Sequence, residues 1–328
     1  MQVAAILTSV RKRRPWLILG GLLAATCLVG GAIYVVRVRG SQALESKREL
    51  DTRLAALLAR TRKQMVFVEG GRFEMGDFGA KYGEEKLQYS PEINDNVLHE
   101  VTLDSFSMSA YKITYEDYDV FSDATGRPRI STHKRELPAR LPRVPAGLSW
   151  QAAHDYCQWL GSQLNVPMDL PTEAQWEYAA RGRGRLVLYA TDNGKIDDGR
   201  NVPSFDQKEA RRQHLPIGTS PMPMEVGLYP PNPLGLYDMV TNGYEWVQDW
   251  YAESYESAEQ KNPRGPGSGS RRVMRGYELR GGDGLSLLSF TFVRRGRLPQ
   301  GKLEKDAVGE NPDLRTTARC AAVASPGS

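Results

Sequence analysis

The sequence predicts an α+β protein that is low in regular secondary structure and follows an N-terminal transmembrane helix. A charge-free apolar run covers residues 15–36. Beyond it, short stretches with helix or strand periodicity alternate with long loops rich in Gly, Pro and Asn. The 328-residue chain is 40% hydrophobic and 25% charged, as in ordinary globular proteins. Its net charge of +4 is too small to indicate nucleic acid as a partner.

The apolar run has the length of a membrane span. It can cross the ~30 Å hydrocarbon layer as a helix, whereas a cleavable signal peptide has an apolar region of about 7–15 residues. The basic cluster Arg11 to Arg14 precedes the run and outnumbers Arg37 and Arg39 after it. The positive-inside rule therefore predicts that residues 1–14 are cytoplasmic and that the rest lies outside the cytoplasm. A long signal peptide, or a lipoprotein signal that uses Cys27, is the alternative.

Residues 37–64 predict a helical stalk. No Gly or Pro follows Gly40 in this stretch, and leucines recur at helical spacing. Near Met65 the pattern changes to strand-like alternation. We therefore expect a globular domain over residues 65–323, with a short C-terminal tail over 324–328.

Several elements inside the domain are predicted by their periodicity. The stretch 99–114 alternates like a strand and ends at a threonine that can cap a following helix. Residues 149–164 carry apolar side chains at spacings of three and four, which predicts a helix with Cys157 on its buried face. Thr172 starts a further helix, in which it forms a capping box with Gln175.

Three cysteines have to be assigned. Cys27 lies in the apolar run, and Cys157 and Cys320 lie beyond it. In an oxidising compartment two such cysteines pair more often than they stay free, although two separate buried thiols are the alternative. No CxxC or HxxxH motif accompanies them, so they do not predict a structural zinc site.

The segment DMVTNGYEW, residues 238–246, places oxygen-bearing residues between large aromatic ones. This composition indicates a loop wound around a hard cation. In the alternative interpretation, Asp238 and Asn242 cap loop amides as in an Asx-turn.

Six sequence blocks together resemble the formylglycine-generating enzyme family, also called the sulfatase-modifying factor family. They occur in the family's order and span nearly all of residues 65–323. The resemblance implies a single compact domain with a variant C-type-lectin-like fold around a small twisted antiparallel sheet. The blocks are FVEGGRFEMGD (67–77), SWQAAHDYCQWL (149–160), LPTEAQWEYAARG (170–182), NPLGLYDMVTNGYEWVQDWY (232–251), RRVMRG (271–276) and RCAAV (319–323).

The resemblance also implies a structural calcium ion in the 238–246 segment. The implied ligands are the side chain of Asp238, the backbone carbonyls of Thr241 and Gly243, and the carboxylate of Glu245. Calcium takes six to eight oxygen ligands and accepts such mixed donors. The resemblance further implies that Cys157 and Cys320 form a disulfide found in some members.

The cysteine pair that family members use to bind copper and make formylglycine is missing. It would follow the RVMRG-like block, where this chain has no cysteine. We therefore expect neither copper nor the sulfatase-activating reaction. Iron-dependent relatives need clustered histidines, and the four here are scattered, so iron is not expected either.

Five charged residues are predicted to line the former active-site groove. Acids among arginines more often form ion pairs than act as general bases, so no catalytic residue is assigned. The groove residues are Glu278, Arg280, Asp283, Arg294 and Arg295.

The sequence thus predicts a non-catalytic binding or regulatory module of the bacterial envelope. Residues 15–36 would anchor it in the inner membrane, its domain would be periplasmic, and its partner would be an envelope or membrane protein. Relatives of this kind include regulators of type VI secretion. The alternative is an enzyme of altered mechanism, such as a metal-dependent oxidase or isomerase that acts on a secondary metabolite.

Overall fold

The structure is a computed structural model. It describes residues 16–91, 97–132, 140–214, 223–255, 260–276, 289–300 and 315–323, with side chains from residue 39 onward. Among the residues whose side chains are described, which start at residue 39, no helix is both long and apolar enough to span a bilayer. The side chains of the predicted anchor, residues 15–36, and the whole of the predicted terminal segments, 1–14 and 324–328, are outside the described part. The predicted topology therefore stays a prediction.

The chain divides into two compact units, Met1–Arg53 and Leu54–Ser328. A long helix, α1 (Trp16–Gln64), contributes its last turns to the second unit. There Leu57 is buried, and Arg60 forms an ion pair with Asp117 at 2.5 Å. This packing explains why the compact unit starts eleven residues before the predicted boundary at Met65.

The second unit is built from short elements. Its further helices are α2 (Gly79–Tyr82), α3 (Tyr115–Thr125), α4 (Trp150–Leu164), α5 (Glu173–Ala180) and α6 (Phe205–Gln213). Its strands are β1 (Met65–Val68), β2 (Gly71–Met75), β3 (His99–Leu103), β4 (Phe106–Ser109), β5 (Met168–Asp169), β6 (Tyr244–Trp250), β7 (Gln260–Lys261), β8 (Arg272–Arg275), β9 (Arg294–Arg297), β10 (Thr316–Thr317) and β11 (Ala321–Val323).

Among the described residues, these strands form three small sheets. The first has the order β1-β4-β11-β5 and is antiparallel throughout. The second, β10-β6-β8-β9, and the third, β2-β3-β7, each contain one parallel pair at an edge. The mixture of small sheets and few helices confirms the predicted α+β class.

The predicted strand over 99–114 is two strands, β3 and β4, in different sheets. The break falls at Asp104 and Ser105. There the turn between β1 and β2 packs against the backbone. A Cβ atom at Gly70 would lie 2.3 Å from the carbonyl oxygen of Leu103, so the two backbones are in direct contact there. The Ser105 hydroxyl also accepts a hydrogen bond from the Gly70 amide, at 3.0 Å.

The predicted helix caps are confirmed. Thr114 and Thr172, the two predicted N-caps, each form a capping box at the start of α3 and α5. Ser149, which was not predicted as a cap, caps α4. Helix α4 buries Cys157, which forms a disulfide with Cys320 just before β11. The sulfur atoms are 1.99 Å apart and the Cα atoms 5.5 Å apart. The disulfide thus connects the longest helix of the domain to its last described strand.

Candidate functional site

Helix α5 carries two buried carboxylates that arginines from other elements neutralise. Glu173 accepts hydrogen bonds from Arg294 Nε and Nη2, at 2.8 and 2.7 Å, and from Arg275 Nη1 at 3.0 Å. Glu177 pairs with Arg275 Nη2 at 2.5 Å and with Arg181 Nη1 at 2.9 Å. The spacing of four residues places both carboxylates on one helix face, where they meet the arginines of β8 and β9.

A cavity of about 530 Å³ lies beside this ion-pair network. Its polar wall includes Glu173, Arg294, Asp249, Tyr255 and His99. The Tyr255 hydroxyl donates to Glu173 Oε1 at 2.9 Å, and the Tyr255 ring centre is 4.6 Å from that of His99. One wall of the cavity is therefore held in place by charge-assisted hydrogen bonds.

Asp249 differs from the other carboxylates of this wall. It is 4% exposed, and its Oδ2 accepts a hydrogen bond from the Glu173 amide at 2.7 Å. Burial, followed by the charge of Glu173, raises the pKa of Asp249 to about 7. Burial also disfavours the charged form of Glu173, but the charges of Arg294 and Arg275 outweigh it and lower that pKa. The cavity thus contains a carboxyl group that changes charge near neutral pH.

The predicted groove residues are only partly described. Glu278, Arg280 and Asp283 lie outside the described residues. Arg294 reaches the cavity wall, where it is 2% exposed and paired with Glu173. Arg295 follows it on β9 and points to the opposite face of the strand.

The carboxylates of the predicted calcium loop form hydrogen bonds and an ion pair with other groups of the protein. Asp238 Oδ2 accepts from the amide of Gly227 at 2.9 Å, and Asp238 Oδ1 accepts from Asn242 Nδ2 at 3.0 Å. Asp238 therefore accepts one hydrogen bond from the backbone of an earlier segment and one from a side chain of its own loop. Glu245 forms a bidentate pair with Arg319, with N–O distances of 2.6 and 2.8 Å.

The ammonium group of Lys112 lies among the predicted calcium ligands. Lys112 Nζ donates to the carbonyl oxygens of Thr241, Asn242 and Gly243, at 2.9, 3.2 and 2.5 Å. It is also 3.5 Å from Glu245 Oε1. The predicted carbonyl donors thus converge, but a lysine already fills the position at their centre. As folded, this donor set does not fit a calcium ion.

Sequence reasoning did not identify Lys112, Arg319 or the carboxylates of α5 as site residues. Lys112 precedes Thr241 by 129 residues, so no local pattern connects them. The α5 network does have a local signal, because Glu173, Glu177 and Arg181 recur at intervals of four residues. Charges at helical spacing on a face that must be buried indicate internal ion pairs.

The sequence matches the family described as "Sulfatase-modifying factor enzyme 1-like domain" over residues 53–309. The chain belongs to this family. The family predicted from the sequence blocks is therefore confirmed.

Proteins with different names and activities are similar to this chain. The serine/threonine-protein kinase pkn1 of Chlamydia pneumoniae is 29% identical over 233 residues, which cover 65% of this chain and 32% of the kinase. The formylglycine-generating enzyme of Mus musculus is 29% identical over 228 residues, which cover 54% of this chain and 57% of the enzyme. The chain thus spans about a third of the kinase and just over half of the mouse enzyme.

A solved structure shares the fold. PvdO from Pseudomonas aeruginosa superposes with a TM-score of 0.56 at 21% identity, covering 79% of this chain and 94% of PvdO. At this level of identity the similarity shows the fold alone. It agrees with the family's fold and with the small sheets described above.

Proposed function

We propose that this chain is a non-catalytic binding or regulatory module of the formylglycine-generating enzyme family in a bacterial envelope system. This proposal rests on the pairing of the cysteines. Cys157 and Cys320 are joined to each other, and Cys27 lies in the predicted anchor. The domain has no further cysteine, so it offers no free thiolate pair to a soft metal such as copper.

The cavity beside α5 supplies a candidate binding site. Paired arginines neutralise Glu173, whereas Asp249 has no ion pair with a described residue. The lining also contains the cations Lys261 and Arg264, so a partner would meet charged groups of both signs in this cavity. We accordingly propose that the partner is an envelope protein that inserts a polar segment into this cavity and contacts Asp249.

The kinase relatives support a role in signalling. A region like this chain makes up about a third of a protein named a serine/threonine kinase. The family resemblance includes regulators of type VI secretion that act with a membrane Ser/Thr kinase, and type VI secretion signalling is the envelope system we propose. Residues 15–36 would hold the chain in the inner membrane, with the domain in the periplasm.

Site-specific photo-cross-linking of the full-length chain in its native cells tests the binding site. A cross-linking residue at Arg264, on the cavity lining, should form an adduct with an envelope protein. The control position, Phe205, is 57% exposed and lies outside the lining, so it should not form this adduct. The Asp249→Asn substitution should remove the adduct at position 264. The cavity would be rejected if the same adduct formed from both positions, or if it persisted in the variant.

An enzyme of altered mechanism remains the second candidate, because Asp249 can exchange a proton near neutral pH. This alternative is a metal-dependent oxidase or isomerase that acts on a secondary metabolite, although the described residues contain no group of three His, Cys, Asp or Glu side chains that could hold a metal ion. Copper and iron content and oxygen uptake of the purified chain distinguish the two functions. Stoichiometric metal together with oxygen uptake would favour the enzyme.

A further inference from the structure

The loop that begins at Asp238 is wound around a positive charge that the chain itself supplies. Three successive carbonyl oxygens, from Thr241 to Gly243, lie within 3.2 Å of Lys112 Nζ. Asn242 and Gly243 have φ angles of +59° and +90°, a left-handed conformation that ordinary residues seldom adopt. An asparagine and a glycine, which accept this conformation more readily than other residues, thus turn the backbone at the point where its carbonyls meet the ammonium group.

The hydrogen-bonding capacity of the lysine matches this loop. An ammonium group has three N–H donors and no acceptor, and three carbonyl oxygens are within reach. The Lys112 side chain is 0% exposed, so water does not replace any of these contacts. A buried ammonium group is tolerated only when it is paired and hydrogen-bonded, and both conditions hold here.

The charges around the loop are also balanced without a metal. Among the described residues, Arg319 is the other cation that acts on Lys112, and Glu245 and Asp238 are the two carboxyl groups that act on it. A calcium ion added beside Lys112 would need the same carbonyl oxygens. It would also place two further positive charges next to a buried ammonium group, where repulsion is weakly screened.

We infer that the ammonium group of Lys112 is the resident cation of this loop and takes the place of a calcium ion. The chain would then carry its structural cation covalently, on the segment between β4 and α3. Its stability would not depend on free calcium, in contrast to the calcium site implied by the family resemblance. This inference is independent of the proposed binding function and of the cavity beside α5.

Thermal melting of the full-length chain in calcium and in a calcium chelator tests the inference. The wild-type melting temperature should be the same in both conditions. Lys112→Ala should lower it in chelator by roughly 10 °C, because the carbonyls and Glu245 lose their buried cation. Calcium should restore much of this loss, since the shortened side chain leaves the oxygen donors accessible.

Lys112→Met is the matched control, because it fills the same space without a charge. It should be destabilised as well, but calcium should not restore its melting temperature. Equilibrium dialysis should show one more bound calcium ion per chain for Lys112→Ala than for the wild type. The inference is overturned if the wild type loses stability in chelator, or if folded Lys112→Ala binds no additional calcium. The wild-type melt decides the question even if the alanine variant does not fold.

Discussion

Individual charged residues form buried ion pairs in the interior next to α5. Arg294 is 2% exposed and reaches both oxygen atoms of Glu173, whereas Arg212 forms its pair with Glu209 at the surface, with a side chain 54% exposed. Both pairs have short N–O distances, but only the first is desolvated. Removal of one partner of a buried pair leaves an uncompensated charge in the interior, whereas water solvates the remaining partner of an exposed pair.

We therefore expect Arg294→Ala to reduce the free energy of unfolding by about 3–5 kcal/mol. Arg212→Ala should change it far less, because water solvates its exposed pair. Chemical denaturation of both variants and the wild type measures the difference. Equal effects of the two substitutions would show that the α5 network does not stabilise the fold as described.

Asp249 should make stability depend on pH. Its pKa in the folded chain is about 7, above the ordinary aspartate value of about 3.9, so the folded state holds this proton more tightly than the unfolded state. The stability contributed by protonated Asp249 is fully present below about pH 4 and is lost as the pH rises to about 7. Glu173, Arg294 and Arg272 are the charged groups that act on it.

Asp249→Asn removes this titration and keeps an acceptor for the Glu173 amide. The variant should match the wild type in stability at about pH 4. It should be more stable than the wild type at pH 8 by a few kcal/mol, since each pKa unit corresponds to about 1.4 kcal/mol. Denaturation at both pH values checks this, and a stability difference that does not change with pH would refute it.

Residues such as Asp238 and Glu245 could be singled out from the sequence because their spacing within one loop is local. Their partners, Lys112 and Arg319, could not be identified from the sequence. These residues come from distant segments, and the pairing depends on how the sheets pack. A local motif therefore predicts which oxygen atoms converge. It does not predict which cation they meet.

At the scale of elements, helices were more predictable than strands. The starts of helices α3, α4 and α5 can be predicted from capping residues and an apolar face, which are local properties of the sequence. Strands β5, β7 and β10 are two residues long and exist because a neighbouring strand supplies hydrogen bonds. Such pairing has no local pattern in the sequence.

The disulfide links two distant elements, α4 and the start of β11, because its cysteines are separated by 163 residues in the sequence. Cross-linking so long a loop restricts the unfolded chain, so the Cys157→Ser/Cys320→Ser variant should lose about 2–5 kcal/mol of stability. Peptide mapping without reductant, on chain exported to an oxidising compartment, should yield the linked peptide. Free alkylatable thiols at both positions would contradict the structure on this point.

For the whole molecule, the family could be predicted because its sequence blocks occur in order along most of the chain. The start of the compact unit could not be predicted from the sequence. The last turns of α1 have the composition of a solvated stalk, and yet they bury Leu57. The cavity beside α5 was also not predicted, because residues from several elements, including Met75, Asp249 and Arg294, line it. Local patterns thus predict the family, and long-range packing determines which residues line the cavity.

The central claim, that this family member does not make formylglycine, is tested most directly by its activity. The purified full-length chain would be supplied with copper, reductant and a sulfatase-type cysteine peptide, and the peptide mass would be followed. The mouse enzyme serves as the positive control. We expect the peptide mass to remain unchanged relative to a copper-only reaction, because the domain has no free thiolate pair. Conversion of the peptide cysteine above that background would contradict the account.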